Sequence, residues 1–498
     1  MARIVVIGAG MAGLASAVRL KVKGHSVTVI EQSETYGGKL GVLARDGFVF
    51  DTGPSLFTLP AVYRHLFNIT GQPLEESVDI VPLDTAFGYR FADGSQIEMP
   101  GVDPARCAAA IGDGLGGQAG DDWLRLMARA SEVWRITRRP FLESPLTGVG
   151  DLISLARNRH DIRTVAPFSS LRKIGAQYLS DPRARILLDR YATYTGSDPR
   201  RAPAALVTVP YVEQEFGAWH LKGGLRTLGT ALEQRCRDRG VEFRYGTDVQ
   251  EVLLRDGRVA GVDTSHGMVE SDLVVANADA THLYRDLVHD PRATRALKKL
   301  RRATPSLSGF VMLIAARGTT PGIRHHNVWF PSNYDAEFDA IFGRDARPVD
   351  DPTIYACVPN DDAMRPNTDS ESWFILINAP RQGEGRGCYD WTVPGRREAY
   401  ADHVLSVLAQ RGVDLRERML WREIRTPADL AHDTRAPGGS IYGSSSNGAR
   451  AAFLRPTNAS PIPGLYLAGG SAHPGGGLPL VGMSSDIVST LIGPAESR

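Results

Sequence analysis

The chain has 498 residues, and 57 Lys and Arg stand against 56 Asp and Glu, a formal charge of +1. That length fits two to three domains, with ample chain to bury a core and a large ligand. The balance argues against a general nucleic-acid binder, whose affinity for phosphate backbones rests on a surplus of cations. Cys107, Cys236, Cys357 and Cys388 are widely scattered with no C-x-x-C, so neither a disulfide framework nor a zinc site is expected and a reducing cytoplasm is the natural compartment. The sequence opens directly into an apolar strand, which predicts no signal peptide. Its longest apolar run, Leu307 to Ala316, is broken by Ser308 and Gly309 and falls far short of the ~20 residues a spanning helix needs.

Ile4-Val5-Val6-Ile7 is a short β-branched run, the composition of a strand buried on both faces of a parallel sheet. Gly8-Ala9-Gly10-Met11-Ala12-Gly13 follows at once, a complete G-x-G-x-x-G. Leu14, Ala17 and Val18 then recur at helical spacing, and Gly24 sits where a helix would end. His25 to Ile30 reads as a second strand closing on Glu31, 18 residues after Gly13. Each part has a physical task. Gly8 permits the tight turn, Gly10 lets backbone approach a pyrophosphate, and Gly13 lets helix pack close to strand. Met11 and Ala12 open the helix, whose free N–H groups and positive dipole end suit phosphates. Glu31 stands where a carboxylate accepts hydrogen bonds from an adenosine ribose. Together these predict a dinucleotide-binding unit without separating NAD from FAD.

Tyr36-Gly37-Gly38-Lys39-Leu40 comes next, then Gly47-Phe48-Val49-Phe50-Asp51-Thr52-Gly53-Pro54. This extension resembles the second fingerprint of the FAD-dependent amine oxidase and phytoene desaturase superfamily, in which paired glycines and a basic residue follow the ribose-binding acid. On that resemblance Gly37 and Gly38 run a loop under the ligand, Lys39 adds positive charge to the phosphate region, and Gly53 and Pro54 join the cofactor site.

Residues 60 to 215 read as helices such as Asp122 to Ile136 and Asp151 to Arg159, broken by a glycine-rich loop at Gly112 to Gly120. Arg135, Arg138, Arg139, Arg157, Arg159, Arg163, Arg172 and Lys173 face only three acids over the same stretch, Glu143, Asp151 and Asp161. Ile136, Phe141, Leu142, Leu146, Leu152, Ile153 and Leu155 are interleaved. A basic, amphipathic, proline-interrupted segment can lie on an anionic membrane surface; a solvated helical face is the alternative. Tyr194-Thr195-Gly196-Ser197-Asp198-Pro199 and Ala202-Pro203 again resemble the bacterial phytoene desaturase family.

Gly223-Gly224-Leu225 opens a helix with Leu225, Leu228, Leu232 and Cys236 at apolar positions, ending at Gly240. Val241-Glu242-Phe243, Val249 to Leu254 and Val259 to Val262 predict a β-meander appended to the nucleotide unit. Leu273 to Ala276 reads as a buried strand running into Asn277-Ala278-Asp279. The order is similar to that of the same family, which implies a backbone contact from Val249 to the adenine and places Asn277 at the cofactor. From Thr281 to about Pro456, strands at Leu307 to Ala315 and Trp373 to Asn378 and a helix at Arg396 to Gln410 predict a sheet with helices against it. His325-His326 has no carboxylate or histidine at i+4, so a surface loop is expected and no metal site.

Pro463 to Leu467 leads into Ala468-Gly469-Gly470-Ser471-Ala472-His473-Pro474-Gly475-Gly476-Gly477-Leu478-Pro479-Leu480, with a helix expected near Val481. Free N–H groups there can meet the flavin's ribityl and ring atoms, so Gly469, Gly470, Val481 and Gly482 are candidates, with Pro479, which has no N–H, as a neighbour of the cofactor in the same loop. The His-Pro-Gly-x-Gly-x-Pro pattern resembles bacterial carotenoid desaturases rather than amine oxidases, and leans toward those acting on hydroxylated or already desaturated carotenoids. Ser484-Ser485-Asp486 departs from the Ser-Gly of many relatives and leaves the helix placement open.

These motifs, in the family's order, imply an α/β fold with a Rossmann-type FAD-binding domain, discontinuous over 1–80, 216–285 and 457–498. An inserted α+β domain, 81–215 and 286–456, would hold the substrate and contact the membrane. The resemblance implies FAD-dependent desaturation of a carotenoid or related long isoprenoid, in which a CH2–CH2 unit yields a hydride to flavin N5 and the conjugated cation loses a proton. The cofactor carries the difficult step, which agrees with the lack of a Ser-His-Asp or paired-carboxylate signature. His473 is the one catalytic candidate, and a structural role in holding the glycine loop stands beside an acid–base one. A carotenoid isomerase, a terminal oxygenase or a saturase of the same fold stays open. An amine oxidase is disfavoured by the His473 loop, and a non-enzymatic prenyl-binding protein by the intact glycine motifs. The expected partners are the hydrophobic substrate and a membrane surface, with no nucleic acid, and the expected location is cytoplasmic and peripherally membrane-associated.

Overall fold

The computed structural model of the protein describes residues 1–146, 159–448 and 451–495. The predicted helix Asp151 to Arg159, with Leu152, Ile153, Leu155 and Arg157, lies outside the described residues apart from its last position. One sheet of five parallel strands runs in the order Glu242–Arg244, Ser26–Ile30, Arg3–Ile7, Leu273–Ala276, Leu465–Leu467. Val6 sits between Val29 and Val275, so the apolar run is buried by its neighbours and by the layers on both faces. Helix Met11–Val22 is buried from Met11 to Leu20, because it is wedged between this sheet and helix Leu478–Ile492. Glu242–Arg244 differs from expectation: it joins the parallel sheet beside Ser26–Ile30 instead of the meander. Gly240, at φ +80°, turns the chain out of helix Arg226–Asp238 and onto that sheet edge. The meander is left with Val249–Arg255, Arg258–Thr264 and Val269–Glu270.

A second sheet has seven strands, in the order Met419–Arg425, Ser308–Arg317, Ser370–Ala379, Ile354–Cys357, His326–Trp329, Thr85–Arg90, Gln96–Pro100. One face packs Phe310, Met312, Ile314, Trp373 and Ile375 with Val404 and Leu408 of helix Arg396–Gln410. The other face meets helices on its Phe87 and Tyr89 side, and meets Phe48 and Phe50 of the hairpin Val42–Asp51 on its Leu313 and Phe374 side.

Three local expectations need correction. Gly112 to Gly120 is not a loop: helices Pro104–Leu115 and Ala119–Thr137 occupy all of it except residues 116–118. A Cβ at Gly120 would lie 2.6 Å from the Ala108 carbonyl oxygen and 3.3 Å from Gly112 Cα, so this glycine serves close helix packing. The C-terminal helix starts at Leu478, ahead of Val481, and takes Ser484, Ser485 and Asp486 into its buried side and its ion pair with Arg19 at 2.7 Å. His325-His326 is no surface loop, since His326 begins a strand inside the seven-stranded sheet and is fully buried. Among the described residues no helix is long and apolar enough to cross a membrane.

Candidate functional site

The predicted glycine loops, far apart in sequence, meet at the carboxyl ends of the parallel strands. The Gly37 N–H donates to the Ala9 carbonyl at 2.8 Å, and a Cβ at Gly38 would stand 3.3 Å from Gly10 Cα. The Asn277 amide lies between the first and last loops. A Cβ at Gly10 would approach its Oδ1 to 2.5 Å, and one at Gly469 its Nδ2 to 2.5 Å, while Nδ2 donates to the Ala468 carbonyl at 3.0 Å. At Gly13 a Cβ would strike the Gly8 carbonyl oxygen at 2.1 Å, so the helix of Met11 and Ala12 can approach its strand only with glycine there. Gly53 is held equally close, a Cβ falling 1.7 Å from the Lys39 carbonyl oxygen, with Pro54 next in the chain. Gly470 faces Gly476 across the C-terminal loop, where a Cβ would stand 3.3 Å from its Cα.

Glu31 accepts from the Ala9 N–H at Oε2 (2.7 Å) and from the Ser33 N–H and hydroxyl at Oε1 (3.0 and 2.8 Å). Oε2 has only that one partner among the described residues, and a carboxylate oxygen has a second lone pair to offer a ribose hydroxyl. The Thr247 N–H donates to the Glu31 carbonyl at 2.9 Å, which brings the start of strand Val249–Arg255 beside it.

Between these loops and the seven-stranded sheet stands a group of polar side chains that are enclosed without being sealed. Lys39, Asp51, Tyr194, His325, Tyr355, Tyr442 and Arg455 are deeply enclosed by protein yet keep accessible surface, as side chains lining a cavity do.

Residues 11–320 match the family described as flavin containing amine oxidoreductase. The chain belongs to that family. It is 33% identical over 503 residues to the hydroxyneurosporene desaturase of Rubrivivax gelatinosus, covering 99% of this chain and 94% of that protein. The 1-hydroxycarotenoid 3,4-desaturase of Flavobacterium sp. (strain P99-3) is 31% identical over 99% of both chains. The 4,4'-diapolycopene oxygenase of Methylomonas sp. is 31% identical over 98% of this chain and 97% of its own. In architecture the chain is similar to putrescine oxidase bound to putrescine, with a TM-score of 0.66 at 13% identity and coverage of 99% and 98%. As a flavin-containing amine oxidoreductase it is an FAD-dependent oxidoreductase, and its side-chain-free cradle at Gly10, Gly13, Gly38 and Gly469 fits a bound dinucleotide.

Within this family fold the remaining candidates divide. The Lys39 ammonium donates to the carbonyls of Ser440 (3.2 Å) and Ile441 (2.5 Å), and burial lowers its pKa. Gly482 lets the C-terminal helix close onto Val62, where a Cβ would stand 2.6 Å from Val62 Cγ1; Pro479 and Val481 form that helix's first turn. The His473 Nε2–H donates to the Ser144 carbonyl at 3.1 Å, which fixes the tautomer, and the ring meets the Phe141 ring edge-on at 5.5 Å. Burial lowers its pKa to about 4, so the imidazole is neutral near pH 7. Its own carbonyl accepts from Ser484 Oγ (2.8 Å) and Asn458 Nδ2 (2.9 Å).

Three residues not singled out from the sequence complete the site, although Asp51 lies within the Gly47 to Pro54 stretch. The Asp51 carboxylate accepts from the Leu225 and Arg226 N–H groups (2.7 and 2.9 Å) at a helix start, and burial raises its pKa to about 6. Arg226 donates to the carbonyls of Tyr36 (2.6 Å) and Leu40 (2.8 Å), clamping the Gly37-Gly38 loop. Arg455 donates to the carbonyls of Tyr442 (3.1 Å), Gly470 (2.5 Å) and Ser444 (2.6 Å), with its pKa lowered by burial to about 10. Each is a lone charged residue whose partners are remote in sequence or are backbone atoms. On the sheet wall, donor atoms of His325, His326 and Cys357 lie within 4.8 Å of one another. His326 Nδ1 is already engaged with the Tyr355 hydroxyl at 2.8 Å, and among the described residues no carboxylate joins the group.

Proposed function

We propose that the protein desaturates a carotenoid or related long isoprenoid, with the bound FAD held by the glycine cradle and Glu31. The observation that carries this reading is the set of enclosed aromatic side chains that keep accessible surface between that cradle and the seven-stranded sheet, Tyr194, Tyr355 and Tyr442. Bound FAD supplies the hydride acceptor for a CH–CH oxidation. The chain's own residues position the polyene on the aromatic wall and exclude water, and neutral His473 holds the C-terminal loop through Ser144. The nucleotide-binding part, in this reading, is 1–80 with 216–285 and 457–498, and the rest is the substrate part. The names and full-length coverage of two desaturase relatives support the reaction class.

The test is expression in a host that accumulates several carotenoid precursors, followed by identification of the pigment that disappears. A product lighter by two hydrogens, or a multiple of two, is expected. A product that gains oxygen, or an isomer of unchanged mass, overturns the reading.

Because such a substrate resides in a bilayer, we propose further that the basic segment from Arg135 to Lys173 docks on anionic lipid. Support comes from Phe168, 88% exposed, and from exposed Arg139, Arg163 and Lys173, which have no carboxylate partner among the described residues. Arg138 is paired with Glu143 at 2.6 Å, and Arg172 with Asp189 and Asp335 at 2.5 and 2.6 Å, so these two have less charge to offer a membrane.

A further inference from the structure

Against the inner wall of the seven-stranded sheet, helices Pro182–Arg190 and Thr208–Phe216 and the turn Tyr191–Thr195 bring a polar cluster that a purely hydrocarbon substrate would not need. Arg190, only 6% exposed, lies 5.1–5.7 Å from the ring centroids of Phe87, Tyr89, Tyr194 and Tyr355. Its Nη1 donates to the Tyr194 hydroxyl at 2.9 Å, the one acceptor for this guanidinium among the described residues. A guanidinium has five N–H donors, so most of them stay unused. Glu213, equally buried, accepts from the hydroxyls of Tyr191 (2.6 Å) and Tyr194 (3.1 Å) and forms no direct ion pair with Arg190. Beside them the Tyr355 hydroxyl bonds Ser55 Oγ and His326 Nδ1, both at 2.8 Å.

Burying such charges without full pairing is costly, and if the ligand were hydrocarbon alone they would be better replaced by hydrocarbon. The cluster faces the cavity, since Tyr194, Tyr355 and Ser55 keep accessible surface. It also stands near the reacting end. Tyr442 fills the gap between Gly196, two residues beyond Tyr194, and Gly476 of the C-terminal loop, where added Cβ atoms would lie 3.0 and 2.5 Å from its ring. Arg190 and Glu213 balance in charge, so the cluster suits an uncharged oxygen rather than an anion.

We propose that Arg190, Tyr194, Tyr355 and Ser55 form a subsite for one uncharged oxygen function, a hydroxyl or a carbonyl, on an otherwise hydrocarbon polyene. The inference rests on the reading that the substrate is a long isoprenoid, and it adds which isoprenoids are preferred. An oxygenated substrate satisfies donors that a hydrocarbon leaves unpaired, and that asymmetry is where large discrimination arises.

The test uses the FAD-loaded enzyme in detergent micelles with three matched polyenes: a hydrocarbon, its tertiary alcohol and its ketone. Equilibrium binding is read from polyene absorbance, and turnover from products. The parent is expected to bind at least one oxygenated polyene about tenfold or more tightly than the hydrocarbon. Tyr194→Phe and Tyr355→Phe, which keep the rings, should bring that ratio to about threefold or less, with FAD content unchanged. The paired variant Arg190→Met with Glu213→Gln should remove the preference without leaving a lone buried charge. Equal binding of all three polyenes by the parent, or variants that weaken all three in parallel, overturns the subsite. Preferred binding without turnover of any polyene upholds the subsite and sinks the desaturase reading. Equal turnover and equal binding do the reverse.

Discussion

Glu31 and Gly10 were legible from a spacing of a few residues, because a nucleotide-binding turn imposes its constraints locally. If the free lone pair of Glu31 Oε2 meets the ribose, Glu31→Ala should weaken FAD by about 1.5–3 kcal/mol, the range for hydrogen bonds to charged groups. Titration of apoprotein with FAD measures this, and an unchanged Kd places the adenosine elsewhere. Gly10→Val should abolish binding altogether, since even its first carbon would lie 2.5 Å from Asn277 Oδ1. His473 was legible as a residue but not as a contact, because Phe141 and Ser144 lie more than 300 positions away. Its folded pKa of about 4 lies below the ordinary value of 6.5. The unfolded chain therefore takes the proton first, and the contribution is complete above pH 6.5 and lost as pH falls toward 4. Between pH 7 and 5.5 the parent should lose about 1 kcal/mol more unfolding free energy than His473→Asn does. Parallel urea titrations with the same slope would mean that this imidazole is not sealed.

Elements were readable where their period was continuous and unreadable where a neighbour decided. Helix Arg396–Gln410 follows directly from its apolar spacing. Glycines at 112, 114, 117 and 120 instead suggest a loop, but Gly112 and Gly120 face each other where helix Ala119–Thr137 meets helix Pro104–Leu115, Gly114 lies against Gln96 of strand Gln96–Pro100, and Gly117, at φ +60°, turns the chain between the helices. His326 misleads for a similar reason. Its strand pairs Phe87 on one side and Cys357 on the other, so a polar pair of letters ends inside a sheet. The C-terminal helix illustrates what a departure from family pattern can encode. Asp486 is half-exposed, but the Arg19 side chain it pairs is only 3% exposed, and Arg19 Nε has no other partner. Asp486→Asn should destabilise the packing of the first and last helices by about 1–3 kcal/mol by leaving that charge uncompensated, discounted for the exposed carboxylate. A midpoint of denaturation equal to the parent's would show that solvent already compensates Arg19.

At the scale of the whole molecule, local fingerprints name the nucleotide-binding unit, whereas the seven-stranded sheet draws strands from residues 85–100 and 308–425 that carry no common motif. What joins its inner wall to the cofactor cradle are contacts such as Ser55 with Tyr355, across 300 residues, which no spacing announces. Entry of an insoluble substrate is also a property of the whole molecule. The basic segment begins where helix Ala119–Thr137 ends, and its Phe141 and Ser144 touch His473 of the C-terminal loop. A lipid surface engaged by this segment would therefore lie close to the site it feeds. Arg139→Glu, Arg163→Glu and Lys173→Glu together replace three cations with three anions; loss of the cations alone, at about 1 kcal/mol each, should lower partition onto anionic liposomes by roughly two orders of magnitude, and the added anions lower it further. Phe168→Ser should weaken binding further by removing about 1.5–3 kcal/mol of apolar insertion, and on neutral liposomes it should be the dominant effect. Raised salt should reproduce the charge reversal and leave the Phe168 effect intact, because screening shortens only the reach of charge. FAD content and turnover of detergent-solubilised substrate should stay at the parent's level in the triple variant. Sedimentation of that variant with anionic liposomes to the same extent as the parent would leave the segment a solvated face and move the membrane contact elsewhere.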